Sequence, residues 1–275
     1  MRVNSTDGVE LEVHDLGGDG PPVLLVHATG FHGLVWEPLA AHLSGFHRFS
    51  VDMRAHGDST APLGRPLEWE GFADDVLSVV DALGLENPGA VGHSKGGAAL
   101  LLAEERRPGT FSSIYCWEPV VMPPEIAIGH QPDNPLSNGA RRRRPTFASH
   151  DEAYENYASK PPFSGLDPVA LRAYVDHGFA PTDEGTVTLK CLPDNEADVY
   201  AHGTAHQAFA SLGLVRCPVT IAVGVEDSVP AIFGRPIAEA LPAGRIESFP
   251  ELGHFGPLEN PRLVAESILR AFAGD

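Results

Sequence analysis

Residues 92–97, Gly92-His93-Ser94-Lys95-Gly96-Gly97, set one hydroxyl between glycines in the pattern Gly-x-Ser-x-Gly. A short apolar run, Ala90-Val91, leads into it, and the stretch from Ala98 to Glu105 is good helix-forming material. A serine at such a strand-to-helix corner takes φ > 0, which costs about 1–3 kcal/mol and so marks a position kept for function. Gly92 and Gly96 keep bulk away from the bend. The helix that begins here aims its first N–H groups and its positive dipole end at whatever the serine attacks. With 29 glycines in 275 residues the pattern needs context, the alternative being a glycine-rich turn. A serine hydroxyl is also a poor nucleophile at neutral pH. It needs a base within hydrogen-bond reach, and the base needs an orienting acid.

The elements that would position such groups alternate along the chain. Residues 9–14 alternate apolar and charged side chains, as in an exposed early strand before the turn Gly17-Gly18-Asp19-Gly20-Pro21-Pro22. Val23-Leu24-Leu25-Val26 is continuous and apolar, as expected of a parallel strand buried on both faces. Residues 49–52, 90–93 and 113–117 read as further strands. Residues 69–83 read as a helix with Phe72, Val76, Val79, Val80 and Leu83 inward and Asp74, Asp75 and Asp81 outward. From about Pro119 to Ala210 the rhythm breaks. Prolines cluster between helical stretches at 151–157, 168–178 and 196–209, and no βαβ unit can be read. Residues 119–209 are therefore expected to form a helical insertion in an α/β core made of 1–118 and 210–275. Strands return at 219–224 and 245–249. The chain closes on a helix with Asn260 as N-cap and Pro261 in its first position.

Composition narrows the classes of partner. Thirty-seven acidic residues against 19 basic ones give a formal charge of −18, which disfavours nucleic acid, anionic membrane and highly anionic substrates unless a local patch overrides the field. The run Arg141-Arg142-Arg143-Arg144 is the one local anomaly; it reads as a solvated helix face, with anion recognition as the alternative. Cys116, Cys191 and Cys217 are far apart and show no metal or disulfide spacing, so no cofactor and no metal are expected. No signal-like segment opens the chain and no run reaches about 18 apolar residues, so a soluble, cytoplasmic protein is expected. Oligomeric state is not readable.

Five separated segments together resemble the α/β-hydrolase superfamily, in its lidded esterase, lactonase and haloperoxidase-like branch. They are His27-Ala28-Thr29-Gly30, Asp52-Met53-Arg54-Ala55-His56-Gly57-Asp58-Ser59, the serine corner, Gly224-Val225-Glu226-Asp227, and Gly253-His254 followed by Glu259-Asn260-Pro261. They cover roughly residues 20–118 and 210–275, the core without the insertion. The resemblance implies a mostly parallel sheet flanked by helices with a helical cap. It also implies a triad in the chain order Ser, Asp or Glu, His, which here gives Ser94 as nucleophile, Asp227 as acid and His254 as base. Glu118, ending the preceding strand, and Glu226 are the alternative acids. The oxyanion hole would use the backbone N–H groups of Thr29 and Lys95, although His27-Ala28 and Arg54-Ala55-His56-Gly57 each carry alanine where relatives usually have glycine.

The remaining histidines have quieter roles in this reading. Strand alternation turns His93 away from the site, His27 buttresses the oxyanion loop, and His56 bonds within its own turn. Asp52 caps its turn, and the Lys95 side chain either faces the site or lies along the helix surface. Trp117, Phe147, Tyr154, Tyr157 and Phe163 are candidate pocket lining, or plain cap core. The resemblance implies a cofactor-independent serine hydrolase acting on a small carboxylic ester or lactone. Perhydrolase or haloperoxidase chemistry and carbon–carbon bond hydrolysis are the alternatives on the same triad. A binding protein on the same scaffold is disfavoured, because no triad member is missing.

Overall fold

The computed structural model describes residues 1–225 and 229–274. In chain order the first half contains β1 (Arg2–Asn4), β2 (Glu10–Asp15), β3 (Pro22–Val26), α1 (Glu37–Ala40), β4 (His47–Asp52), α2 (Trp69–Ala82), β5 (Gly89–His93), α3 (Lys95–Arg106) and β6 (Ser113–Trp117). The middle segment holds α4 (Pro135–Arg141), β7 (Thr146–Phe147), α5 (His150–Ala158), α6 (Pro168–Gly178), β8 (Phe179–Pro181), β9 (Val187–Leu189), α7 (Pro193–Ala201) and α8 (Ala208–Ser211). The chain then returns to β10 (Val219–Val223), α9 (Gly234–Ala240), β11 (Gly244–Ser248), α10 (Gly256–Glu259) and α11 (Pro261–Ala273).

Eight strands form one sheet in the order β1-β2-β4-β3-β5-β6-β10-β11. β2 pairs antiparallel with both β1 and β4; from β4 to β11 the pairing is parallel. The apolar run of β3 divides by alternation, as its two buried faces require. Leu24 and Val26 join the core under α2 and α3, whereas Val23 and Leu25 join the core under α1 and α11. α11 starts as its sequence dictates: the Asn260 side chain accepts the Leu263 N–H at 3.1 Å, and Pro261 sits where no N–H is needed.

Three expectations are corrected. The segment between β6 and β10 is not purely helical, since β7, β9 and β8 form a three-stranded antiparallel sheet within it. Strands of two or three residues are too short to show a period of two. The helical stretch expected over 196–209 breaks after Ala201 and resumes at Ala208. Asp75, expected to face solvent from α2, is fully buried. It accepts from Arg54 Nε at 2.9 Å, Nη2 at 2.8 Å and the Arg54 N–H at 3.1 Å, and so turns inward to pair a buried guanidinium. Among the described residues no helix is long and apolar enough to cross a membrane.

The corner between β5 and α3 is closely packed backbone against backbone. A Cβ on Gly92 would lie 2.6 Å from Gly97 Cα, and one on Gly96 would run into the Val26 carbonyl oxygen. Both contacts are backbone, so no side chain can yield. We expect Gly96→Ala to destabilise the fold by about 3 kcal/mol or more. Gly213→Ala, where a Cβ meets nothing within 4 Å, should stay within about 0.5 kcal/mol of wild type in urea unfolding. Equal midpoints for the two variants would refute the close-approach argument.

Candidate active site

Ser94 sits at the end of β5 with φ 54° and ψ −115°, outside the regions L-residues favour, and α3 begins at the next residue. Its N–H donates to the Trp117 carbonyl at 2.9 Å, which ties the corner to the end of β6. Because α3 starts at Lys95, the Lys95 N–H is one of the four with no partner inside the helix, and it opens onto the serine. Thr29, buried, lies just beyond the end of β3 in the neighbouring loop. The two expected oxyanion donors therefore come from adjacent strand ends.

His254 follows β11, and its imidazole is brought to the same edge. Its Nδ1 hydrogen-bonds Glu118 Oε2 at 2.6 Å. Glu118 is the residue after β6, fully buried, with φ 42°. Its other oxygen accepts the Gly224 N–H at 2.8 Å, and its own N–H donates to the Ala222 carbonyl at 2.8 Å. The carboxylate is thus satisfied on both oxygens without water. Asp227 and Glu226, the other acids considered from the sequence, lie outside the described residues. The residue that the structure places on His254 is the one that the sequence ranked behind Asp227. Its signal was a glutamate directly at a strand end, where a positive φ swings the side chain along the edge of the sheet.

Three histidines surround this edge, each made neutral by burial. His93 does not turn away from the site: its ring centroid lies 4.9 Å from that of His254, and its Nε2 bonds the His254 carbonyl at 2.8 Å. Burial, and then the neighbouring His254, hold His93 well below the usual imidazole range, so its Nε2–H donates there. His27 accepts the Met53 N–H at Nε2 at 3.1 Å, which leaves Nδ1–H to donate to Ala28 O at 2.7 Å. It thereby links the loop after β3, where an oxyanion donor is expected, to the turn after β4. His56 Nδ1 bonds Arg54 O at 2.8 Å within its turn. Asp52 holds its turn through the Asp58 N–H at 2.8 Å and also reaches the Gly33 N–H at 2.6 Å.

Aromatic rings continue the site toward the middle segment. Phe255, beside His254 at 5.3 Å between centroids, meets Phe31 at 5.5 Å and Phe163 at 6.1 Å. Phe163 meets Tyr157 at 4.8 Å and Tyr174 at 5.0 Å. Of the expected lining residues, Phe163 and Tyr157 join this run. Phe147 packs beside Tyr157 and Phe179, and Trp117 packs on Phe249 in the core. Among the described residues one group has the donor types of a metal site, His130, Asp198 and His202, with ligand atoms within 4.8 Å. Its atoms are partly engaged: His202 Nδ1 bonds Asp198 O at 2.9 Å, and Asp198 Oδ2 accepts the Leu67 N–H at 2.7 Å.

An Alpha/beta hydrolase family model matches residues 23–267. The chain belongs to the alpha/beta hydrolase family. Across nearly its full length it resembles a bifunctional esterase/perhydrolase of Acinetobacter calcoaceticus, 26% identical with 97% of each chain covered. It also resembles the strigolactone esterase D14 of Arabidopsis thaliana, 24% identical over 95% of this chain and 96% of that one. Among solved structures, E-2-(acetamidomethylene)succinate hydrolase superposes with a TM-score of 0.83 at 23% identity, covering 100% of this chain and 98% of that one. The family model fixes the family, the structural likeness fixes the fold, and the bond cleaved is left to the site itself.

The Lys95 side chain lies neither along the helix surface nor on an acid. It is fully buried, with Nζ 4.2 Å from the centre of the Phe72 ring and no hydrogen-bond partner among the described residues. Burial pushes its amine down to about 7 from the usual 10.5. Between these values the unfolded chain holds a proton that the folded chain releases, so stability rises with pH across that window. The stability difference between Lys95→Met and wild type should therefore be constant below pH 7. It should shrink toward pH 10.5 with a slope approaching ~1.4 kcal/mol per pH unit. A difference that does not change with pH in chemical unfolding would show that the amine is solvated or paired.

Proposed function

We propose that this hydrolase cleaves a carboxylic ester or lactone through an acyl-enzyme on Ser94, with His254 as general base and Glu118 as the acid that orients it. The reading is carried by the 2.6 Å hydrogen bond from His254 Nδ1–H to Glu118 Oε2 at the strand edge that also presents Ser94. With Nδ1 protonated and held, Nε2 is the ring's basic nitrogen. His254 Nε2 takes the Ser94 proton as Oγ attacks the carbonyl, and the Thr29 and Lys95 N–H groups receive the developing oxyanion. The protonated imidazole, stabilised by Glu118, gives its proton to the leaving alkoxide. The neutral imidazole then activates water to release the acid. Residues 119–209 serve as the cap that closes the site, bringing Tyr157 and Phe163 over it. The esterase relatives support acyl transfer, and a succinate-derived hydrolase among the solved relatives supports a small acyl substrate.

Ser94→Ala should abolish turnover of p-nitrophenyl esters, and a fluorophosphonate should label Ser94 in the wild type. Glu118→Gln should lower kcat by about 10⁴, in line with the handicap of a triad histidine held in the wrong tautomer. Asp227→Asn should retain most of the activity. Folding of each variant is checked by circular dichroism. A near-wild-type Glu118→Gln beside a crippled Asp227→Asn would return the acid to the position first expected from the sequence. Turnover surviving in Ser94→Ala would end the serine-hydrolase reading.

A further inference from the structure

We propose that the substrate carries a free carboxylate, bound in a cationic cleft of the middle segment whose inner wall is Arg143. The proposal rests on the acyl-hydrolase reading above and names its substrate class. A cleft of about 370 Å³ is lined by Arg142, Arg143, Arg144 and Lys160 together with Tyr157 and Asn156. In a chain of net charge −18, four cations around one cleft are the opposite of the average field. Two of them are already neutralised: Arg144 pairs with Glu152 at 2.8 Å, and Arg143 pairs with Glu196. Among the described residues Arg142 and Lys160 have no ion pair, so the cleft keeps an excess of two positive charges.

Arg143 joins this cleft to the catalytic edge. The expectation of a solvated arginine face holds for Arg142 and Arg144, which are exposed, and fails for Arg143, whose side chain is 17% exposed. Its Nη1 lies 3.4 Å from where a Cβ on Gly30 would stand, and Glu196 Oε1 lies 2.7 Å from the same point. Gly30 immediately follows Thr29, so the guanidinium lies beside the proposed oxyanion loop. Arg143 Nη2 also donates to the hydroxyl of Tyr157, at 2.9 Å, and to that of Tyr174. Both phenols accept from the arginine, which frees their own protons to donate, and Tyr157 lines the cleft. Guanidinium and phenol donors with ammonium on the rim suit a planar carboxylate. A continuous run of packed rings, from His254 through Phe255 and Phe163 to Tyr157, connects the base to the wall of this cleft.

The test separates binding from turnover. Ser94→Ala is titrated calorimetrically with adipate and with dimethyl adipate. Wild type is assayed on mono-p-nitrophenyl adipate beside its methyl-capped ester. Adipate should bind and dimethyl adipate should not. Wild type should favour the free acid by roughly tenfold or more in kcat/KM, an advantage that shrinks as ionic strength rises. In Arg142→Glu/Lys160→Glu, whose positions are exposed and carry no ion pair, adipate binding should be lost and the free-acid to capped ratio should fall at least about tenfold. Equal kcat/KM for the two esters in wild type, or a ratio and an adipate affinity unmoved in the double variant, would overturn the carboxylate site. If neither ester is turned over, the acyl-hydrolase reading fails, and the calorimetry still decides this one.

Discussion

The geometry of the catalytic edge depends on a buried carboxylate that is held by both of its oxygens. Glu118 is fully buried, and leaving a carboxylate there unpaired would cost several kcal/mol. One oxygen takes the Gly224 N–H from the end of β10, and the other takes Nδ1–H from His254 beyond β11. Glu118 itself ends β6, and its backbone N–H is bonded to Ala222 of β10. Ser94, at the end of β5, is bonded through its N–H to Trp117, the residue before Glu118. Four consecutive strand ends are therefore cross-linked within a few residues. The histidine is positioned by the sheet and not by its own loop. The positive φ values at Ser94 and Glu118 are the strain that this arrangement holds in place.

Three of the thirteen histidines follow one physical pattern. His27, His56 and His93 are all held well below the usual imidazole range by burial first; His27 and His56 then feel Lys95, and His93 feels His254. Each spends a ring nitrogen on a backbone carbonyl, as a neutral, fixed tautomer would. They act as rigid hydrogen-bonding wedges behind the loops. His254 differs from these three in being partly exposed and bonded to a fully buried carboxylate, Glu118.

The core was legible in the chain because its signals are local. The apolar run of β3, the glycine-flanked serine, and Asn260-Pro261 at the start of α11 each specify their own backbone. Strand ends were accordingly read to within a residue or two at β5, β6 and β10. What escaped was set by partners distant in sequence. Asp75 looks like a solvent-facing helix residue until Arg54, 21 residues upstream, is folded against it. His93 looks inward by strand alternation, but β11 delivers His254 from 161 residues away onto its ring. The β7-β9-β8 sheet is built from strands of two and three residues, below the length at which a period can be recognised. Glu118 reaches the imidazole because the chain turns with φ 42° directly after β6; Asp227 lies outside the described residues.

Arg143 is a further case of pairing between residues distant in sequence. A run of four arginines reads as a surface feature because each has a long, polar, well-solvated side chain. α4 ends at Arg141, so the following residues leave the helix, and one of them is free to turn under the segment. There it meets Glu196 of α7, Tyr157 of α5 and Tyr174 of α6. One guanidinium thus gathers three separate elements and rests against Gly30, where glycine leaves room for the pair and adopts φ 80°. Through these bonds α5, α6 and α7 are gathered on one guanidinium beside the loop that carries Thr29.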